Sequence, residues 1–172
     1  MVILGVDQSY TKCGLVVVER RDDDNDYVLY AEVYGTELNN NRYKRAFLVA
    51  EHVSAVAQQY NATIIVEGLA FGTTGNATRD LAGLLFTIIT YARYIKNQSV
   101  YVVTPKEVKK LATGKGTAKK PEMFTALAEN VQKYFINLGA KKTTGLYDLA
   151  DAFWIAKIGI KRLLENTVRL VD

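Results

Sequence analysis

Two short apolar runs in this chain end on a carboxylate, Val2-Ile3-Leu4-Gly5-Val6-Asp7 and Ala62-Thr63-Ile64-Ile65-Val66-Glu67. A third apolar segment, Leu146 to Trp154, carries two more acids, Asp148 and Asp151. Two negative charges about 4 Å apart repel by roughly 4 kcal/mol at an effective dielectric near 20. Four converging carboxylates would form several such pairs, a penalty comparable to the whole stability of a domain. Something cationic must offset it. All-oxygen donors suit Mg²⁺, with Mn²⁺ as a substitute, rather than zinc. Cys13 is the only cysteine, which excludes a cysteine-rich zinc site and an internal disulfide. His52, the single histidine, has polar neighbours and reads as a surface residue.

Each acid also has a plainer reading. Asp148 could favour the first turn of a helix, where the dipole welcomes negative charge. Asp7 could cap the turn after a strand, and Glu67 could pair with a lysine. Asp151 resists such a reading because it lies beyond the first residues of an apolar helix. The joint constellation favours a metal site.

These acids need elements that bring them together. Residues 2–6, 14–18 and 27–34 are rich in β-branched and aromatic residues and predict three successive strands, an antiparallel meander. Ala46, Val49, Val53 and Val56 recur at helical spacing within 42–60. A strand over 62–67 leads into a loop over 69–79 containing Gly72, Thr73, Thr74, Gly75 and Asn76. A long helix over 78–96 and a strand over 99–103 follow. Thr104-Pro105 opens a lysine-bearing helix that stops near Gly114. Two further helices are predicted over 119–138 and 145–164. This order fits an α/β fold, a mixed sheet with helices on its faces, within one domain spanning 1–172. If the first and fourth strands lie side by side and parallel, Asp7 and Glu67 emerge at the carboxyl edge where α/β ligands bind. Asp148 and Asp151, three residues apart, share one helix face.

With 49% hydrophobic and 23% charged residues, the 172-residue chain has the composition of a soluble globular protein. No apolar run reaches the roughly 18 to 20 residues of a membrane span. The N-terminus does not read as a signal peptide, so a reducing cytoplasm is expected, that of a host cell if the gene is viral. The net charge of +4 is unevenly spread. Between Thr104 and Lys142 there are nine lysines against three glutamates, a balance of +6, leaving 13 basic and 15 acidic residues elsewhere. Such a segment fits contact with a polyanion, nucleic acid above all, or a solvated helix face.

Asp7, Glu67 and the Asp148/Asp151 pair, in this order, resemble the acidic tetrad of RuvC-type Holliday junction resolvases, members of the RNase H-like superfamily. Two flanking motifs strengthen the resemblance. Val108-Lys109-Lys110, followed by Gly114-Lys115-Gly116-Thr117-Ala118-Lys119-Lys120, is similar to the family's Val-Lys and Gly-x-Gly-x-Ala-x-Lys segment. Asp148-Leu149-Ala150-Asp151-Ala152 is similar to its closing Asp/His-x-Ala-Asp-Ala. Two departures stand out. Gln8-Ser9 replaces the family's Pro-Gly after the first aspartate, and the loop phenylalanine used as a junction wedge has its nearest equivalent in Phe71, shifted by about one position.

The resemblance implies an RNase H-like five-stranded mixed sheet flanked by helices. It also implies an endonuclease that resolves four-way DNA junctions by paired nicks, leaving 5′-phosphate and 3′-hydroxyl ends. The expected site has Asp7, Glu67, Asp148 and Asp151 holding two Mg²⁺ ions about 4 Å apart, with Asp7 bridging. Lys120 would neutralise charge developing on the phosphate, with Lys109 beside it. Lys109, Lys110, Lys115 and Lys119 would hold the DNA backbone, and Phe71 would enter the junction. A junction is two-fold symmetric, so a homodimer is expected, with the long helix that includes Leu81, Leu84, Leu85 and Ile88 as its seat, although such a stripe also reads as core. No feature of the sequence names a branch-migration helicase partner. A broader DNase acting on forks, flaps and Y-junctions, and an RNA-processing relative of the YqgF type, would share the same metal site. Leu4-Gly5-Val6-Asp7-Gln8-Ser9 also superficially resembles the phosphate loop of sugar kinases and actin-like ATPases, but 172 residues cannot supply their two domains. A non-catalytic junction-binding module would have little reason to keep all four acids.

Overall fold

Strand β1 (Val2–Asp7) sits at the centre of the sheet because its interior residues are apolar on both faces, so both faces must be covered. The computed structural model describes residues 1–22, 25–69 and 75–167. Strands β2 (Cys13–Arg20), β3 (Asp26–Tyr34), β4 (Thr63–Glu67) and β5 (Val100–Val103) complete a sheet of order β3-β2-β1-β4-β5. The first three strands form the predicted antiparallel meander. β1 runs parallel to β4, and β4 to β5. Val6 lies opposite Val66, so Asp7 and Glu67 leave the sheet at the same carboxyl edge.

One face packs on α1 (Arg42–Gln59) and α2 (Asn76–Thr90), which continues as a π-helical turn over Tyr91–Ile95. Of the apolar stripe on α2, Leu84, Leu85 and Ile88 are buried in this core, while Gly83, Phe86 and Thr90 face outward. His52 is not the surface residue expected. It is half-buried on α1, stacked on Tyr34 at 3.9 Å, and its Nε2 pairs with Glu32 Oε2 at 2.6 Å. The amphipathic pattern of α1 placed His52 among polar neighbours in sequence, but packing against β3 supplies partners that the helix itself does not.

The other face packs on α6 (Leu146–Leu164), with α3 (Pro105–Thr113), α4 (Lys120–Thr125) and α5 (Glu129–Asn137) around it. Thr104 and Glu107 form a reciprocal capping box at the start of α3, and Gly114, at φ 76°, ends it as expected. The single helix predicted over 119–138 is two helices. Leu127 turns into the core between them, Ala128 is extended, and the Gln132 side chain donates to the Leu127 carbonyl at 2.8 Å. Those interactions outweigh one continuous helical ladder. No described helix is long and apolar enough to cross a membrane.

Candidate active site

Helix α6 lies on the sheet with little room between backbones. A Cβ on Gly14 would stand 2.2 Å from the Asp148 carbonyl oxygen, so only glycine lets the start of α6 settle over the start of β2. Gly14 is the register partner of Asp7. The helix therefore delivers Asp148 and Asp151 to the edge where β1 and β4 deliver Asp7 and Glu67.

A fifth group joins them. Lys120, the first residue of α4, places its ammonium 2.7 Å from Asp148 Oδ1, 3.3 Å from Asp151 Oδ2 and 3.8 Å from Asp7 Oδ2. Asp7, Glu67 and Asp151 share a cavity of about 430 Å³ with Lys109, Thr117, Lys119 and Lys120. Lys109 is close enough to lower the pKa of both Glu67 and Asp151. Lys115 is exposed on the loop after Gly114. Lys110 lies outside this cavity, in the groove between α3 and α6 beside Lys161 and Arg162. Its position next to Lys109 turns it to another face of α3. Phe71 falls outside the described residues.

The electrostatics follow from burial. Loss of solvation raises the Asp7 carboxyl well above the usual carboxylate range, Asp151 raises it further, and Lys120 opposes both. Burial, then the charge of Asp151, pushes Glu67 up to about 7, against the pull of Lys109 and Lys120. Asp151 is likewise raised by burial, with Lys120 opposing and Asp148 adding to it. Burial alone would lower the Lys120 pKa, but Asp7, Asp148 and Asp151 outweigh it and hold the ammonium above the usual lysine range. Cys13 is buried, its thiol pushed up to about 12, which suits a packing role rather than a nucleophile.

The donor set fits hard divalent cations: four carboxylates, mutually repelling and already gathered in part around one positive charge. Among the described residues no three acidic, histidine or cysteine side chains form a ready-made metal-holding group. The three aspartates are disposed around an ammonium instead. Gln8 adds to the fit. Its Nε2 donates to the Glu67 carbonyl at 2.9 Å, tying the ends of β1 and β4 together, while its Oε1 is buried at the same edge without a hydrogen-bond partner. Sequence reasoning passed over this clamp, noting Gln8 only as a departure from Pro-Gly. Trp154 was missed too: its Nε1 donates to the Met123 carbonyl at 2.9 Å and anchors α4, and so Lys120, on α6. Its position three residues after Asp151, on the same helix face, was the available signal.

The sequence profile described as crossover junction endodeoxyribonuclease RuvC matches residues 3–158. The chain belongs to the RuvC family. Among its RuvC relatives, that of Mycobacterium sp. (strain KMS) is 26% identical over 156 residues, covering 91% of this chain and 80% of that protein. That of Mycobacterium leprae (strain TN) is 28% identical over 156 residues, covering 91% and 79%. Both carry the name crossover junction endodeoxyribonuclease RuvC. Thermus thermophilus RuvC in complex with a Holliday junction substrate shares the fold, with a TM-score of 0.78 at 24% identity over 99% of both chains. The Fowlpox virus resolvase, solved with Holliday junction DNA, has a TM-score of 0.60 at 17% identity, covering 95% of this chain and 99% of that one. The RuvC fold in this chain thus has a five-stranded mixed sheet flanked by helices, as the acidic tetrad implied.

Proposed function

We propose that this chain is a crossover junction endodeoxyribonuclease that resolves four-way DNA junctions by paired, symmetric, metal-dependent nicks. The carrying observation is the convergence of Asp7, Asp148 and Asp151 on one cationic point, beside Glu67, in a cavity walled by lysines. Asp7, Glu67, Asp148 and Asp151 would hold two Mg²⁺ ions, or Mn²⁺ in their place. When bound, such ions lower the pKa of a water and stabilise a departing oxygen in an in-line phosphoryl displacement. The chain's own residues do the rest. The backbones of Asp7 and Glu67 are held side by side by the sheet, and Gln8 ties them together at the Glu67 carbonyl. Lys109 and Lys120 face the cavity where the scissile phosphate would lie, and Lys115 and Lys119 would hold the flanking backbone. Water attacks phosphorus, the bond to the 3′ oxygen breaks, and 5′-phosphate and 3′-hydroxyl ends remain.

Paired nicks call for a two-fold dimer. The outward face of α2 supports one. Phe86 is 67% and the nearby Tyr94 65% exposed, and Tyr43 and Phe47 extend the apolar surface onto α1. A Cβ added at Gly83, one turn before Phe86, would meet no atom within 4 Å, so the helix surface is open there to a partner helix.

The test is incubation with a labelled mobile four-way junction, with and without Mg²⁺. Nicks at matching positions on opposing strands, dependent on the metal, are expected. Equal cutting of forks, flaps and Y-junctions would move the assignment to a broader structure-selective DNase. Preferential cutting of RNA would move it to the YqgF type.

A further inference from the structure

We propose that Lys120 is the resident counter-ion of the acidic cluster, and that it leaves the carboxylates for the phosphate when divalent cations bind. This rests on the metal reading above but is separable from it by experiment.

The geometry carries the idea. One ammonium stands within 4 Å of carboxylate oxygens from two elements, Asp7 on β1 and both aspartates of α6. Lys109 is the second cation near the cluster, acting on Glu67 and Asp151. With all four carboxylates ionised, two ammonium groups leave a deficit of two positive charges. Lys120 thus offsets part of the repulsion among the acids. It also stands in the space where a shared ion would be chelated, and +1 and +2 charges cannot occupy it together without strong repulsion.

Lys120 is built to move. Its backbone is fixed: the Glu122 carboxylate accepts from the Lys119 N–H at 2.7 Å, and Trp154 holds the Met123 carbonyl. Its side chain is 53% exposed, whereas Asp7, Asp148 and Asp151 are 16%, 18% and 15% exposed. The aspartates are largely buried, while the lysine that reaches them keeps an open side to solvent. Rotation of its side-chain torsions alone would carry the ammonium back toward that open side, where a phosphate would approach. The charges then balance in sequence. Two divalent ions held by the four carboxylates would offset their charge, leaving the ammonium groups of Lys109 and Lys120 to meet a phosphate gaining negative charge in the transition state. The same lysine would hold the site together before loading and serve the phosphate after it.

The experiment is Mn²⁺ uptake by calorimetry, together with thermal unfolding in chelator and in Mn²⁺, without DNA. Lys120→Ala and the isosteric Lys120→Gln are compared with wild type and with Lys133→Ala, a charge control on α5 whose ammonium pairs with Glu129. Loss of the Lys120 charge is expected to tighten Mn²⁺ binding by about tenfold or more. It should also lower the melting temperature in chelator and enlarge the rise that Mn²⁺ produces. Lys133→Ala should change the affinity little. Two Lys120 variants that bind Mn²⁺ no tighter than wild type would overturn the exchange and leave the metal reading standing. Wild-type protein that takes up no Mn²⁺ at millimolar concentration would overturn both.

Discussion

Gly5 on β1 faces the backbone carbonyl of Ala152 on α6 so closely that a Cβ would stand 2.0 Å from that oxygen. No side chain can be added there without pushing the helix off the strand. Asp151 immediately precedes Ala152, so the separation of these two backbones sets the distance from the acids of α6 to those of the sheet. Gly5→Ala is therefore expected to cost about 1–3 kcal/mol or more in stability, as overpacking does. It should also lower the cleavage rate beyond any effect on folding. Urea unfolding beside single-turnover cleavage of the folded fraction separates the two, and a stable variant with wild-type rate would disprove the spacing role.

Asp7 feels the charge of all three other acids, and its substitution tests the site directly. Asp7→Asn should cut junction cleavage by about a hundredfold to a thousandfold or more. Gel-shift affinity for the junction should survive or improve, because a negative charge is removed from the DNA-facing cavity. Parallel loss of binding would assign Asp7 to the structure rather than the reaction.

Metal-free stability should depend on pH with a definite sign. The Glu67 carboxyl rises from an ordinary 4.5 to about 7 on folding. Below 4.5 both folded and unfolded states hold the proton. Between these values the folded state holds it and the unfolded state does not, so this contribution to stability is lost as pH rises and is gone above about 7. Asp7 and Asp151, also raised, act in the same direction. In chelator, the urea midpoint is expected to fall from pH 5 toward pH 8, and Glu67→Gln should flatten that slope. A wild-type midpoint that climbs over this range would contradict the burial of these acids.

The anchor between Trp154 and the Met123 carbonyl predicts a graded effect. Trp154→Phe keeps an aromatic ring but leaves that carbonyl without its donor, at a cost of about 1–3 kcal/mol. Loosening of α4 should reduce the cleavage rate more than junction affinity, because Lys120 loses its fixed base. A rate unchanged at saturating DNA would show that α4 is held by other contacts.

On the outer face of α2, Phe86→Glu should convert a dimer to a folded monomer in sedimentation analysis, with unfolding still cooperative and no longer dependent on protein concentration, since Phe86 is exposed within the single chain. Leu84→Glu should instead destroy the fold, because Leu84 is fully buried. A Phe86→Glu protein that remains dimeric would place the interface elsewhere.

Much of the site was legible because burial and charge conflict openly in the sequence. Asp7 and Glu67 end apolar strands, and Asp148 and Asp151 interrupt an apolar helix, so their convergence could be argued before any coordinates. The rest depended on tertiary contacts with no local signature. Gln8 clamps a strand 59 residues away. His52 finds Glu32 and Tyr34 across the α1–β3 packing. The break between α4 and α5 is made by Leu127, an ordinary helix former that the core claims. Lys110 lines a different groove from Lys109, because adjacent residues on a helix diverge by about 100°.

Arg162, near the far end of α6, pairs with the Glu107 carboxylate on α3, two residues before Lys109. The same helix that seats Asp148 and Asp151 therefore also grips the helix bearing a facing lysine. α6 behaves as a caliper whose two jaws are acid and base. The base is fastened to the acid-bearing rod through a single ion pair, so cutting that pair would free one jaw and leave the other seated.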